Sequence, residues 1–325
     1  MSEHHPTRVL VTGATGFVGR ALVETLATNL DYQVVALVRR ESRFGATVQI
    51  QQAADFHQGP EVEAALKSVD TVVHCAARVH VMAESQADPQ AEYDRVNVAA
   101  TLALARRAHA VGVRRFIFVS SIKVNGEGTK PGEAYQAEDA PAPIDPYGIS
   151  KAAAEQQLLD FATQSGLQVV IIRPVLVYGP GVKANFLSMM RWLDRGVVLP
   201  FGAIDNRRSL VALDNLVDLI VTCIHHPAAA GQRFLVSDGE DLSTTQLLRR
   251  MAVALGRPAR LIPVPSWILS CAATALGRKA LSQRLCGSLT VDICKTRELL
   301  NWTPPVTVEQ ALRKTAQHYK DSKTA

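Results

Sequence analysis

The chain carries little cysteine for its length: five residues in 325, Cys75, Cys223, Cys271, Cys286 and Cys294, with no C-x-x-C spacing. An odd count without paired spacing excludes a disulfide framework, implies no metal site, and points to reduced thiols in a cytosol. Long apolar runs are missing too, since a bilayer span needs ~20 consecutive apolar residues and residues 264–276 fall short of that. There is no internal repeat and no low-complexity tract. Lys and Arg are scattered, without a basic helix or aromatic-basic alternation, so the sequence excludes nucleic acid as a partner. The net charge of +5 and pI of about 9.0 read instead as attraction for a polyanionic small molecule. Residues 1–7 form a short polar lead unlike a secretion signal, so a cytoplasmic location is expected.

What is present is an ordinary globular composition, 47% hydrophobic and 20% charged, with mean hydropathy +0.06. The length suits one large domain or two smaller ones. Residues 8–11 are a β-branched apolar run, and residues 17–29 carry apolar side chains at helical spacing. Between them lies Thr12-Gly13-Ala14-Thr15-Gly16-Phe17-Val18-Gly19. Glycines placed between a strand and a helix let backbone amides approach a pyrophosphate at the helix start. Strand-like runs at 33–38, 71–75, 115–120 and 168–172 alternate with helical stretches at 61–67, 93–111 and 150–164. This alternation predicts a parallel sheet covered on both faces. Beyond Pro174 the rhythm loosens: 175–181 reads as a loop, 185–195 as a helix, 207–213 as a strand and 215–225 as a helix. We therefore expect a dinucleotide-binding domain over 1–174, with segments near 209–236 returning to it, and a substrate domain over 175–325.

The end of the second strand reports on the cofactor. An acidic residue there accepts hydrogen bonds from the ribose hydroxyls of NAD, whereas arginine neutralises a 2′-phosphate. The chain has Arg39 and Arg40, so NADP(H) is expected, with NAD(H) as the alternative and two solvated arginines as the purely structural reading. Asp55, after the third strand, is placed either to meet the adenine edge or to serve a turn. Residues 264–276, with Trp267, Ile268 and Leu269 followed by Arg278 and Lys279, read as a buried or lid helix. A helix lying on a membrane surface, giving peripheral contact through 264–279, is the alternative.

With these motifs in order, the chain resembles the extended short-chain dehydrogenase/reductase family, in the branch that acts on nucleotide-linked sugars. The resemblance covers nearly the whole length. It rests on the glycine loop, on Asp70-Thr-Val-Val-His74-Cys-Ala76-Ala77, on Asn97, on Ser120-Ser121-Ile-Lys123-Val-Asn125-Gly126, on Tyr147-Gly-Ile-Ser-Lys151, on Arg173-Pro174 and on Val177-Tyr178-Gly179-Pro180. It implies a Rossmann-type doubly wound α/β fold with a smaller, interleaved C-terminal substrate domain. It assigns Tyr147 as the acid/base and Lys151, one helical turn on, as the cation that stabilises the phenolate and reaches the nicotinamide ribose. Ser121, with Ser120 as runner-up, orients the reacting oxygen. Gly13, Thr15, Gly16, Phe17, Val18, Gly19, Ala76, Ala77, Asn97 and Pro174 complete the expected cofactor set.

For the sugar nucleotide the resemblance points to Asn185 and Arg208, the latter beside Arg207, with Arg78 and Lys123 near the sugar and Arg284 or Arg278 as the second phosphate cation. Family dehydratases carry an acid pair where this chain has Ile122 and Lys123, which disfavours elimination of water; Lys123 and Asn125 are left to touch the sugar or face solvent. Two chemistries remain, a 4-epimerase that keeps its cofactor bound and oxidised and a 4-ketoreductase that consumes NADPH. Arg39 and Arg40 favour an NADPH-dependent 4-ketoreductase of a UDP-4-keto-6-deoxy-N-acetylhexosamine for surface polysaccharide. An NAD-dependent UDP-hexose 4-epimerase is the alternative, and a polyprenyl diphosphate carrier or a non-catalytic NADP-binding role are further ones. The intact Tyr147 and Lys151 argue against the last. Helices at 93–111 and 150–164 match those by which relatives form homodimers.

Overall fold

The computed structural model describes residues 5–79, 88–275, 283 and 285–324. Seven strands form one parallel sheet: β1 (Thr7–Thr12), β2 (Tyr32–Val38), β3 (Val48–Gln52), β4 (Thr71–His74), β5 (Arg115–Val119), β6 (Gln168–Pro174) and β9 (Arg233–Val236). Their spatial order is β3-β2-β1-β4-β5-β6-β9. The apolar runs are continuous because alternate residues feed two separate cores. Val9, Val11, Val34, Ala36, Val170 and Ile172 join the core beneath α1 (Phe17–Ala27) and α7 (Leu213–His225). Leu10, Val35, Leu37, Phe116, Phe118 and Ile171 join the core beneath α2 (Pro60–Leu66), α4 (Ala100–Ala110) and α5 (Pro146–Ser165).

The sheet's order reverses at β1, which pairs with β2 on one side and β4 on the other. Crossovers leave to opposite faces there, and a crevice opens at the carboxyl ends of β1 and β4. Those ends are Thr12 and His74, each followed at once by a sequence-predicted binding motif.

Past β6 the chain builds a second, three-stranded sheet, β10 (Asp241–Leu242), β8 (Arg208–Ala212) and β7 (Leu176–Tyr178). It packs with α6 (Ala184–Asp194), α8 (Thr244–Leu255) and the helix Val308–Thr324 around a third core. The chain returns to the main sheet through α7 and β9, whereas β8 belongs to the small sheet. The 175–181 stretch, expected as loop, contains β7, because Leu176–Tyr178 pairs in register with Leu210–Ala212.

The helix expected over 93–111 differs in detail. It starts earlier, at α3 (Pro89–Tyr93), where Asp88 accepts from Ala91 N and Pro89 occupies the first position. It then passes through a π-turn, Asp94–Ala99, before α4. The segment Ser266–Ala275, α9, contains no buried residue, which corrects the expectation of a buried helix.

One buried ion pair ties the layers together. Arg173 on β6 and Glu155 on α5 are 1% and 3% exposed, and the guanidinium donates from Nε and Nη2 to both carboxylate oxygens, the shortest contact being 2.5 Å. Ser120 Oγ donates to the same carboxylate at 2.5 Å, and Arg173 Nη1 donates to Asn125 Oδ1 at 2.9 Å. Removing one partner strands the other charge in the interior. Glu155→Gln is therefore expected to lower unfolding free energy by about 3–5 kcal/mol, read from urea denaturation; a loss under ~1 kcal/mol would mean that the pair does not set stability.

Candidate active site

Gly13 has φ +65°, and a Cβ there would lie 2.7 Å from Ala76 N. A Cβ on Gly19 would lie 2.2 Å from Gly13 O. The first absence lets the loop after β1 cross the loop after β4, and the second seats α1 against its own leading turn. Gly16 caps α1 without a side-chain bond, so the first-turn amides stay available to an anion.

Above this loop lies a cavity of about 380 Å³. Its walls unite Gly13, Thr15, Gly16, Arg39, Asp55, Ala76, Ala77 and Arg78 from four different strand ends. Its position and its Cβ-free floor suit a dinucleotide. Arg40 is exposed and off the wall, and Phe17, Val18 and Gly19 act from behind it in α1. Sequence reasoning missed Glu92 and Arg95, which line the cavity from the α3 and π-turn segment. Glu92 accepts from Arg95 Nη2 and Nε at 2.8 and 2.9 Å, and Arg78 Nη1 lies 3.9 Å away. Arg78, expected near the sugar, lines this cavity. Its guanidinium lies 5.7 Å from the Tyr93 ring, which meets Tyr147 edge-on at 6.3 Å.

His74 is fully buried beneath the loop. Its Nδ1 bonds Thr12 Oγ1 at 2.7 Å and its Nε2 bonds Thr101 Oγ1 at 2.9 Å. Burial, helped by Lys151, pulls its pKa down to about 3, so a neutral ring ties the ends of β1 and β4 to α4. Burial also pushes the Cys75 thiol up to about 12, which leaves no nucleophile there.

Asp145 caps α5 by accepting from Gly148 N at 2.7 Å, with Pro146 at the first position. Tyr147 and Lys151 follow one turn apart. Asn97, buried in the π-turn, accepts from Arg78 N at 2.8 Å and donates to Arg78 O and Ser150 Oγ at 3.1 and 2.9 Å. Ser150 Oγ in turn donates to Tyr147 O at 2.8 Å. The cavity wall and the tyrosine's helical turn are thus one hydrogen-bonded unit.

Ser121 and Ser120 separate clearly. Ser120 is spent on Glu155, whereas Ser121 caps the short turn Ile122–Val124, accepting from Lys123 N at 3.3 Å, and acts to lower the pKa of the Tyr147 phenol. Lys123 Nζ donates to Glu127 at 3.0 Å and to Asp145 Oδ2. Asn125, expected to touch sugar or solvent, is buried and donates to Gln136 O while accepting from Arg173. Arg208 is partly buried on β8 and donates to Gly287 O at 3.0 Å; Arg207 is exposed, and Asn185 is exposed in the first turn of α6. Arg284 and Arg278 lie outside the described residues.

Burial pushes the Tyr147 phenol up to about 12; the Asp145 carboxylate adds to this and the Ser121 bond opposes it. Burial pulls the Lys151 ammonium down to about 7, against the attraction of Glu155. Lys151 Nζ donates to Val119 O at 2.7 Å and sits 4.0 Å from the Phe118 ring centroid, so it is braced by β5. Tyr147 thus keeps its proton at neutral pH, and the lysine is poised between charged and neutral.

Because the folded-state pKa of Lys151 is depressed from 10.5 to about 7, its burial costs stability fully below pH 7, and the cost fades as pH rises towards 10.5. Lys151→Met is expected to stabilise the fold near pH 7 by a few kcal/mol on the order of the pKa difference, to lose that gain near pH 10, and to lose turnover. Thermal unfolding at the two pH values checks this, and equal gains at both would refute it. Asp145→Asn keeps a helix cap but removes a charge that raises the Tyr147 pKa. The Tyr147 phenol should therefore titrate at lower pH than in the wild type, as ultraviolet difference absorbance of the tyrosinate would record; an unchanged titration would refute it.

The family described as the NAD dependent epimerase/dehydratase family matches residues 9–237. A UDP-glucose 4-epimerase of Vibrio cholerae is 49% identical over 315 residues, covering 97% of this chain and 96% of that protein. An N-acetyl-alpha-D-glucosaminyl-diphospho-ditrans,octacis-undecaprenol 4-epimerase of Escherichia coli O157:H7 is 27% identical, covering 95% and 94%. Among solved structures, MoeE5 in complex with UDP-glucose and NAD matches with a TM-score of 0.77 at 26% identity, over 97% of this chain and 99% of that one. The strand order agrees with these matches, and the chain belongs to the NAD dependent epimerase/dehydratase family of extended short-chain dehydrogenases/reductases.

Proposed function

We propose that this protein is a UDP-hexose or UDP-N-acetylhexosamine 4-epimerase, acting with a nicotinamide dinucleotide held in the 380 Å³ cavity. The observation that carries the reading is the Ser121–Tyr147 pair beside a Lys123 that is engaged with Glu127 and Asp145. Such a site exchanges a proton at one sugar oxygen and has no acid where a dehydratase needs one. The 49% identity to a UDP-glucose 4-epimerase supports epimerisation over the reductase expected from the arginines alone.

In this mechanism the proton of the resting Tyr147 phenol first leaves to solvent, and Lys151, when charged, stabilises the phenolate that remains. That phenolate oxygen then takes the proton of the sugar 4-hydroxyl and later returns it, while Ser121 Oγ holds the sugar oxygen. The nicotinamide, when bound, supplies the acceptor and donor of hydride at C4. In this reading Arg208 and Asn185 serve the diphosphate, since a guanidinium matches phosphate geometry. A homodimer through α4 and α5 belongs to the same proposal.

Arg39 on the cavity wall favours a second reading, a 4-ketoreductase using NADPH. One experiment separates the two. The purified protein is incubated with UDP-galactose without added reductant, and separately with a UDP-4-keto-6-deoxy-N-acetylhexosamine and NADPH. Formation of UDP-glucose with no net cofactor consumption supports the epimerase; stoichiometric NADPH oxidation in the second arm, with none of the first product, replaces it with the reductase. In either case Tyr147→Phe should reduce kcat by at least ~100-fold while leaving cofactor affinity near wild type. Wild-type turnover in that variant would remove Tyr147 from the chemistry.

A further inference from the structure

We propose that the outer edge of the substrate domain is a docking surface for an anionic lipid membrane. Two segments build it. Residues 192–199 run beside 260–262, with Leu199 N donating to Arg260 O and Ile262 N donating to Leu199 O, both at 2.9 Å. Val197 N donates to Trp192 O at 3.0 Å, and Ile268 N donates to Pro265 O at 3.1 Å. This backbone carries Trp192, Val197, Val198, Ile262, Trp267 and Ile268, all between 38% and 67% exposed. A contiguous set of exposed apolar side chains on a protein of this kind marks an interaction surface. The α9 helix within it has no buried residue, so burying these side chains in the chain's own core does not account for them.

Charge identifies the partner. Between Leu242 and Val291 the sequence has seven Lys or Arg and no Asp or Glu, although the whole chain carries only +5. Arg257 and Arg260 are exposed immediately before the apolar stretch, and Arg191 and Arg195 are exposed on the neighbouring segment. The nearby carboxylate of Asp194 is occupied by Arg257 and Lys323. A second copy of this chain docking face to face would set one cationic segment against another, which is repulsive. Anionic headgroups complement the cations while the acyl boundary takes the Trp and Ile side chains. Among the described residues no helix is long and apolar enough to cross a membrane, so the geometry is of a face that lies on the bilayer.

The surface is continuous with the substrate domain's interior: between its exposed side chains, Leu199 is buried in the third core and Leu261 packs against that core. This inference concerns location and does not depend on which C4 chemistry the site performs.

The test uses the full chain with vesicles of phosphatidylcholine alone and with phosphatidylglycerol added, at low and high salt. Co-sedimentation and tryptophan fluorescence report binding. We expect sedimentation and a blue shift only with the anionic vesicles, weakened by salt. The surface double variant Trp267→Ser/Ile268→Ser should bind them at least about tenfold more weakly, while its turnover of UDP-sugar without vesicles stays at the wild-type level. Absence of binding at low salt, or equal binding by the double variant, overturns the proposal. So does an oligomer that the double variant dissolves without any effect of vesicles, which would assign the face to a second copy. Binding by a protein that proves inactive on every UDP-sugar would leave the docking intact and the functional reading refuted.

Discussion

The site depends on the buried contact between Arg173 and Glu155. Glu155 stands one turn beyond Lys151 on α5, and Ser120, which donates to the same carboxylate, stands next to Ser121. One carboxylate therefore fixes the helix carrying Tyr147 and Lys151 against the strand end carrying Ser121. The guanidinium extends the network to Asn125 and to β6. A hydrophobic contact would stabilise this junction without specifying its register, because apolar side chains slide past one another at small cost. A planar fork meeting a carboxylate is satisfied at one offset. That argument explains why two charges are kept in the interior despite the desolvation they cost.

Desolvation also organises the proton chemistry. The same low-dielectric surroundings push Tyr147 up, pull Lys151 down and hold His74 neutral. None of these shifts needs a dedicated partner, since burial disfavours whichever form is charged. The partners fine-tune the result: Asp145 works against the phenolate, while Ser121 favours it. Asp145 is needed for another reason, as the cap that starts α5, and Lys123 occupies its second oxygen. The capping requirement places an anion near the Tyr147 phenol, and the Lys123 cation tempers it, so one ion pair serves both the helix start and the phenol's surroundings.

Parts of this were legible in the sequence and parts were not, for identifiable reasons. The glycine loop is readable because it depends on missing side chains, and a Cβ at Gly13 or Gly19 would strike backbone. The parallel sheet is readable because alternate residues of each strand enter different cores, leaving continuous apolar runs. Ser120 and Ser121 are indistinguishable in composition; their division of labour appears only when α5 places Glu155 beside one of them. Glu92 and Arg95 reach the cavity because the helix begins at Pro89 and widens into a π-turn. The Asp88-Pro89 start was a visible signal, but a π-turn leaves no periodic trace of its own. Lys123 looked free because its partners Asp145 and Glu127 include one that is close only in space. An apolar stretch such as 264–276 reads alike whether it is buried or exposed, and only the absence of covering neighbours around α9 distinguishes the two.

The molecule divides its electrostatic work between two ends. At the carboxyl edge of the main sheet, cations are few and placed: Arg39, Arg78 and Arg95 line one cavity whose floor is glycine and alanine backbone. At the outer edge of the substrate domain, Arg191, Arg195 and Arg260 are exposed and border exposed Trp and Ile side chains, in a stretch whose sequence from 243 to 290 has no carboxylate of its own. The first arrangement recognises a ligand by geometry and the second attracts a surface by field, because unpaired exposed charges act over roughly a Debye length of ~8–10 Å. Arg208 stands between them, half-buried on β8 and bonded to the Gly287 carbonyl that ends the cationic segment. Burial lowers the pKa of its guanidinium and removes competing water, which makes it a less hydrated cation than any on the outer edge.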